Sequence, residues 1–109
     1  MMAKGKIPYE TIQTWVAIFK TCDHKLQGKY EKKLVEVIDK SKKRFNKYAP
    51  AFDYFLDRCK EENNAALGTT IAEILNKGLE SEELMIISIG NANELINEWI
   101  RITKIQKER

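Results

Sequence analysis

Hydrophobic residues recur at helical spacing along most of the chain, and the longest such pattern covers the last quarter, from Ser81 to Ile105. Ser81 is placed to cap a helix, and Glu82 and Glu83 follow in the first turn, where the helix dipole favours negative charge. The apolar positions that follow are Leu84, Met85, Ile87, Ile89, Ala92, Leu95, Ile96, Trp99, Ile100 and Ile102. At about 100° per residue they fill close to half of the helix surface, so this helix needs neighbours on two sides. The pattern predicts a C-terminal helix at the centre of a bundle.

Two helices are predicted before residue 50. The first begins near Pro8 and stops near Gly28, after a short basic leader over Met1–Lys6 that we expect to be frayed. Its apolar positions are Ile12, Trp15, Val16, Phe19, Cys22 and Leu26. The second helix is predicted from Lys29 to Lys47, and its inward positions are Tyr30, Leu34, Val37, Ile38, Phe45 and Tyr48.

The segment from residue 50 to residue 80 is harder to divide. Pro50 is expected to push Ala49 out of the α region and to interrupt the chain there. A third helix then begins, with Phe52, Phe55, Leu56 and Cys59 pointing inward. Asn63 and Asn64 favour a turn and a new N-cap, although the apolar periodicity continues through them and leaves one long helix open. Gly78 is expected to close the helix before Ser81.

Residues 86–91 carry β-branched side chains followed by Gly90, which is also typical of a strand ending in a turn. No second strand pattern exists for it to pair with, so the segment is predicted to be helical, with a kink at Gly90. The 109 residues, 43% hydrophobic and 32% charged, are typical of one folded domain over 1–109. The fold class predicted is all-α, a compact bundle of four or five helices with the C-terminal helix central.

Two features of the sequence bear on cellular location, the length of its hydrophobic runs and its two cysteines. No apolar run approaches the ~18 residues that a membrane span needs, so no membrane partner is expected. Cys22 and Cys59 are interpreted as reduced, buried residues of a cytoplasmic protein, with a disulfide as the less favoured alternative.

Charge is distributed unevenly around a net value of +3. Lys25 to Lys47 holds nine basic and three acidic residues, whereas Glu61 to Glu98 holds eight acidic residues and one basic residue. This polarity predicts charged partners, including other protein subunits or copies of the chain that meet through opposite halves.

Seven basic residues near the second helix, here called the basic surface, form the strongest functional signal. They are Lys29, Lys32, Lys33, Lys40, Lys43, Arg44 and Lys47. Five of them follow spacings of 4, 7, 4 and 3 and so share one helix face, with Glu36 as the carboxylate in the row. Lysines along about 27 Å of helix suit the phosphate backbone of a nucleic acid and carry no sequence code. The alternative is a solvated face that keeps a small domain soluble.

The sequence offers no arrangement of residues that is typical of a catalytic site. His24 is the single histidine, and its neighbour Cys22 lies two positions away, where helix side chains do not face each other. No metal site, cofactor or enzymatic activity is therefore expected. Most aromatic residues are assigned to the core, with Tyr54 as the expected exposed exception that could stack on a base.

The order of parts resembles the small all-helical subunit of type III CRISPR effector complexes. The resemblance is carried by Trp15, by Gly28-Lys29-Tyr30, by the aromatic segment Ala51–Leu56, and by Leu95, Ile96, Trp99, Ile100 and Arg101. The Ala-Pro or Leu-Pro step expected in the second helix, and the Asn-Gly turn expected before the aromatic segment, are absent from this sequence. The resemblance implies binding of RNA backbone, no catalysis, and head-to-tail stacking of copies in antiviral defence.

The function expected from the sequence is that of a non-enzymatic nucleic-acid backbone-binding or assembly subunit, with RNA favoured, acting through the basic surface. The alternative is a small helical protein–protein interaction module, of inhibitor or immunity type, that binds no nucleic acid.

Overall fold

Five helices make up most of the chain in the computed structural model, which describes residues 5–21 and 28–107, with the backbone alone at 28–30 and 105–107. They are α1 (Tyr9–Thr21), α2 (Gly28–Arg44), α3 (Ala49–Glu62), α4 (Ala65–Gly78) and α5 (Glu82–Lys107). A short 3-10 turn, Asn46–Tyr48, joins α2 to α3. The described residues contain no β-strand, which confirms the all-α prediction.

The helices pack around α4 and α5. Helix α4 contacts all four other helices, and α5 contacts α1, α3 and α4. The C-terminal helix therefore packs against several neighbours, as its wide apolar surface predicts, and α4 shares the centre with it. The bundle is flat, with principal extents of 41, 38 and 19 Å. No helix among the described residues is long and apolar enough to cross a membrane.

A single apolar core runs through the bundle and draws residues from every helix. Its largest fully buried side chains are Phe52, Phe55, Ile12, Leu34, Ile38, Leu67, Ile71, Leu75, Met85, Leu95, Ile96 and Val16. Most residues assigned to the core from the sequence lie there. The predicted inward residues that are only half-buried are Trp15, Phe45, Tyr48, Leu56, Leu84, Ile87, Ile89, Ile100 and Ile102.

Helices α3 and α4 are separate, and two asparagines divide them. Asn63 caps the end of α3 in the left-handed region, at φ 51° and ψ 46°, a conformation that asparagine tolerates better than most residues. Asn64 then caps α4, because its side-chain oxygen accepts a hydrogen bond from the Leu67 amide at 3.0 Å. The amide of the same side chain donates to the Phe19 carbonyl at the end of α1, at 3.4 Å. The predicted turn and N-cap are confirmed.

The connection between α2 and α3 differs from the prediction. Helix α2 ends at Arg44, three residues before the predicted end at Lys47. Phe45 leaves the helical region, with φ −129° and ψ 64°, and the chain tightens into the 3-10 turn. Lys47 therefore lies on that turn and not on α2.

Ala49 is the second correction in this connection. It adopts the right-handed helical conformation, φ −51° and ψ −42°, although Pro50 follows it. Pro50 occupies the first turn of α3, where its missing amide is not needed for a helical hydrogen bond. The preference of a residue before proline for an extended conformation is therefore weaker here than the advantage of placing Pro50 in the first turn of α3.

Several predictions fall on residues outside the described part. Residues 1–4 of the leader, Cys22, His24 and Leu26 lie there, and so do the side chains of Lys29 and Tyr30. Gly28, predicted to stop the first helix, is the first residue of α2.

The segment before α1 is attached to α5 through Asn91. This buried side chain accepts a hydrogen bond from the Ile7 amide at 3.1 Å and donates one to the Gly5 carbonyl at 3.0 Å. Lys6 adds an ion pair with Glu94 at 3.4 Å. The chain is therefore held to α5 from Gly5 onward.

A buried carboxylate joins the start of α1 to the middle of α5. Glu98 is only 4% exposed, and it accepts hydrogen bonds from the Tyr9 hydroxyl and the Arg101 guanidinium. The hydrogen bond from Arg101 is the main reason why the pKa of Glu98 lies below its usual range, and Tyr9 adds to it against the opposing effect of burial.

Helix α5 begins where the sequence predicts, and it is continuous. The Ser81 hydroxyl accepts a hydrogen bond from the Leu84 amide at 3.2 Å, which confirms the N-cap. The helix runs without interruption through Gly90, so the helical prediction for residues 86–91 is confirmed over the strand alternative.

Gly78 lies at the closest approach of α4 and α5. A Cβ atom at this position would lie 2.8 Å from the Ser88 hydroxyl and 2.9 Å from both the Cα and the sulfur of Met85. Gly90 provides the contrast, because a Cβ there would meet nothing within 4 Å. Gly78 does end α4, as predicted, but the space it leaves for α5 is the stronger constraint on the residue.

These two glycines predict opposite effects of the same substitution. Gly78→Ala should destabilise the protein by about 1–3 kcal/mol, because the backbone of Met85 must move to admit the new methyl group. Gly90→Ala should stabilise it by about 0.5–1 kcal/mol through helix propensity alone. Urea unfolding of both variants measures the difference. Equal effects would contradict the close approach of the two helices.

Acid unfolding tests the buried carboxylate. A lowered pKa means that folding favours ionised Glu98, so its contribution is present near neutral pH and is lost as the pH falls below the usual glutamate range. Glu98→Gln should therefore be less stable than the parent near pH 7, and its stability should fall less between about pH 5 and pH 3.

Glu73→Gln is the matched control for that experiment, because Glu73 is exposed and has no ion pair among the described residues. Urea midpoints measured at several pH values should follow the parent curve for this control. If the urea midpoints of the parent and of Glu98→Gln changed in parallel with pH, folding would not favour ionised Glu98.

Candidate nucleic-acid interface

Helix α2 separates an apolar face from a charged face along its whole length. Leu34, Val37 and Ile38 are buried against the core. The residues of the basic surface that lie on α2 with described side chains are exposed, and they are Lys32, Lys33, Lys40, Lys43 and Arg44. The helix contacts α3 and α4 but neither α1 nor α5 within the described residues, so its charged face opens to solvent.

Four lysines of this face have no ion-pair partner among the described residues: Lys32, Lys33, Lys40 and Lys43. They extend over 11 residue steps, or about 17 Å of helix. This is shorter than the ~27 Å expected for a helix that reached Lys47. On duplex nucleic acid, phosphates of one strand follow each other at about 3.4 Å along the axis, so this distance covers about five of them.

The sides of α2 are held by ion pairs to neighbouring elements. Lys42 pairs with Asp53 of α3 at 2.8 Å, and the hydrogen bond to Asp53 raises the pKa of Lys42. Glu31 of α2 pairs with Lys60 of α3 at 3.3 Å. Both ion pairs lie on the side of α2 that faces α3, and the four lysines without an ion pair among the described residues lie away from it.

Arg44 and Lys47 are already engaged within the molecule. The Arg44 guanidinium lies 3.5 Å from the Glu80 carbonyl, in the connection between α4 and α5. Lys47 pairs with Glu82 at 2.5 Å, and Tyr48 donates a hydrogen bond to the same carboxylate at 3.1 Å. The hydrogen bond between Lys47 and Glu82 raises the pKa of the lysine and lowers that of the glutamate. Both basic residues are therefore partly withdrawn from any external ligand.

Two carboxylates interrupt the basic surface. Glu36 and Asp39 are exposed on α2 among the lysines, and neither has an ion-pair partner among the described residues. Glu36 lies in this row, as the sequence predicts, and Asp39 is exposed to solvent on the same helix. The surface is therefore positive on balance but mixed in sign.

Tyr54 is exposed, as the sequence predicts. It is 41% exposed on α3, with its ring edge-on to Phe55 at a centroid distance of 6.0 Å. Its neighbours Asp53 and Asp57 are also exposed. Stacking of a base on Tyr54 stays a prediction.

The thiol of Cys59 is buried and free. Burial, with a smaller contribution from the charge of Glu62, raises its pKa to about 12, so the thiol is protonated at neutral pH. The described residues contain no group of three His, Cys, Asp or Glu side chains that could hold a metal ion.

A groove beside α1 was not predicted from the sequence. It lies between α1, α4 and the first half of α5 and has a volume of about 940 Å³. Its residues come from positions 5 to 91 of the chain, so no local motif marks it.

Comparison with models of protein families, with curated proteins and with solved structures found no match to this chain.

Proposed function

We propose that the protein binds the phosphate backbone of nucleic acid through the exposed lysines of α2, as a non-enzymatic subunit. The observation that supports this proposal is that Lys32, Lys33, Lys40 and Lys43 are exposed and have no ion pair among the described residues, whereas the ion pairs of α2 lie on its side that faces α3. An ammonium group is a compact point charge that suits phosphate, and forming such contacts breaks no existing ion pair.

Recognition of this kind depends on charge and spacing rather than on base identity. RNA is the favoured ligand only because of the resemblance to the small subunit of type III CRISPR effector complexes, which also suggests assembly with further subunits or copies. A cytoplasmic setting is part of the proposal and suits the free thiol of Cys59.

The proposal predicts binding that depends steeply on salt. Fluorescence anisotropy with single-stranded and duplex RNA and DNA, at about 50 and 200 mM salt, should show affinity that falls with a log–log slope set by the phosphates neutralised. Lys33→Gln combined with Lys40→Gln should reduce the magnitude of that slope by about 1.4–1.8, the change expected for two lost phosphate contacts. The melting temperature should stay unchanged, because neither side chain has an ion pair among the described residues.

The matched control removes two exposed lysines elsewhere. Lys77→Gln with Lys104→Gln makes the same change in net charge, and neither lysine lies on α2. Removing Glu36 and Asp39 as Glu36→Gln and Asp39→Asn should strengthen binding, since both carboxylates repel phosphate. Equal loss of affinity in the two lysine pairs, or no binding at about 50 mM salt, would contradict the proposal.

A second candidate function is that of a protein–protein interaction module. The specific observation in its favour is the groove between α1, α4 and α5, whose edge carries unpaired carboxylates.

A further inference from the structure

The groove is an open apolar channel between helices. Its floor is formed by Trp15 and Phe19 of α1, Ile74 of α4, and Leu84 and Ile87 of α5. Along α5 it extends from Ser81 to Asn91, which is ten residue steps or about 15 Å. Its length is therefore that of nearly three turns of helix.

Unpaired carboxylates line the edge of this groove. Of the eight acidic residues between Glu61 and Glu98, five take part in ion pairs, and these are Glu61, Glu62, Glu82, Glu94 and Glu98. The other three are Glu73, Glu80 and Glu83. They are exposed, have no ion pair among the described residues, and all line the groove. Among the described residues, Lys77 is the single basic one that lines the groove, so the described part of its edge is negative.

We propose that the groove binds an amphipathic helix of a partner protein, with apolar side chains on one face and lysine or arginine beside them. The apolar side chains would cover Trp15 and Ile87, and the basic side chains would meet Glu73, Glu80 and Glu83. This is the mode in which a helix lays its apolar face into a groove, with anchors at positions i, i+3 or i+4, and i+7.

Other occupants fit this groove less well. The three carboxylates repel an anionic ligand, so nucleic acid is directed to α2 instead. A second copy could offer the lysines of α2, but α2 exposes no large apolar residue among its described side chains. The large apolar residues that are exposed in the described part of the chain are Tyr9, Ile18, Tyr54 and Ile86. The groove and α2 have no residue in common, so this proposal does not depend on the nucleic-acid proposal.

The experiment uses a labelled synthetic helix of 16 residues, with leucine on one face and lysine on the rest, and a second peptide with glutamate in place of lysine. Titration of the full chain by fluorescence anisotropy should show binding of the lysine peptide. Trp15 emission should shift to shorter wavelength as its ring is covered, whereas Trp99 is already buried. The glutamate peptide should bind at least tenfold more weakly.

Two triple variants separate the groove from general surface charge. Glu73→Gln, Glu80→Gln and Glu83→Gln together should weaken binding of the lysine peptide about tenfold, as expected for three exposed charge pairs. Glu36→Gln, Asp39→Asn and Asp57→Asn remove the same charge from exposed positions outside the groove and should leave the affinity unchanged. Lys33→Gln with Lys40→Gln should also leave it unchanged, which distinguishes this site from the basic surface.

Each other outcome would overturn the proposal. Equal weakening in both triple variants would show binding to general surface charge. Equal affinity for the two peptides would remove the role of the carboxylates. No binding by the full chain would show that the groove does not accept such a helix. The last measurement is sedimentation of the protein alone. Self-association that is lost when Glu73, Glu80 and Glu83 are changed to glutamine would assign the groove to a second copy.

Discussion

The close approach of α4 and α5 at Gly78 is the constraint on which the rest of the bundle depends. The absent side chain lets Met85 and Ser88 of α5 lie directly on the end of α4. Helix α4 thereby becomes an inner element, with α5 on one part of its surface and α2 on another. The N-terminal segment and α1 are then attached to α5 through the side chains of Asn91 and Glu98. A methyl group at position 78 would displace Met85 and Ser88 and so disturb the packing of α5 on α4.

Ion pairs decide which charged side chains of this protein are neutralised within the molecule. Ion pairs neutralise charges between α2 and α3, at the 3-10 turn and along α5. One of them, Lys47–Glu82, joins the basic segment to the acidic segment. Among the described residues, most charges without an ion pair lie on the outer face of α2 or at the edge of the groove. Because α2 contacts neither α1 nor α5 within the described residues, these two surfaces lie on different elements, and they approach each other where Arg44 contacts the Glu80 carbonyl. A basic surface and an acidic groove on one small domain are consistent with a subunit that joins a nucleic acid to a protein.

Local signals predicted most of the secondary structure because the forces that cap and separate helices act within a few residues. Ser81 and Asn64 are N-caps that the sequence could identify, since their partners lie only three residues further along the chain. The end of α2 was missed by three residues because a 3-10 turn uses the same residue types as a helix. The prediction for Ala49 was wrong because the rule for residues before proline takes no account of the favourable place of Pro50 in the first turn of α3.

Periodicity and composition are local properties, so the amino-acid sequence was enough to predict a helical bundle with an apolar core and a concentration of basic residues on one helix. Which charges are neutralised and which remain available depends on how the helices pack. Arg44 and Lys47 belong to the same sequence pattern as Lys33 and Lys40, but their partners Glu80 and Glu82 lie more than 30 residues away. The groove has the same origin, because its floor joins α1 to α4 and α5. Residues so distant along the chain meet only through the packing of the helices, and the spacing of residues in the sequence does not predict such contacts.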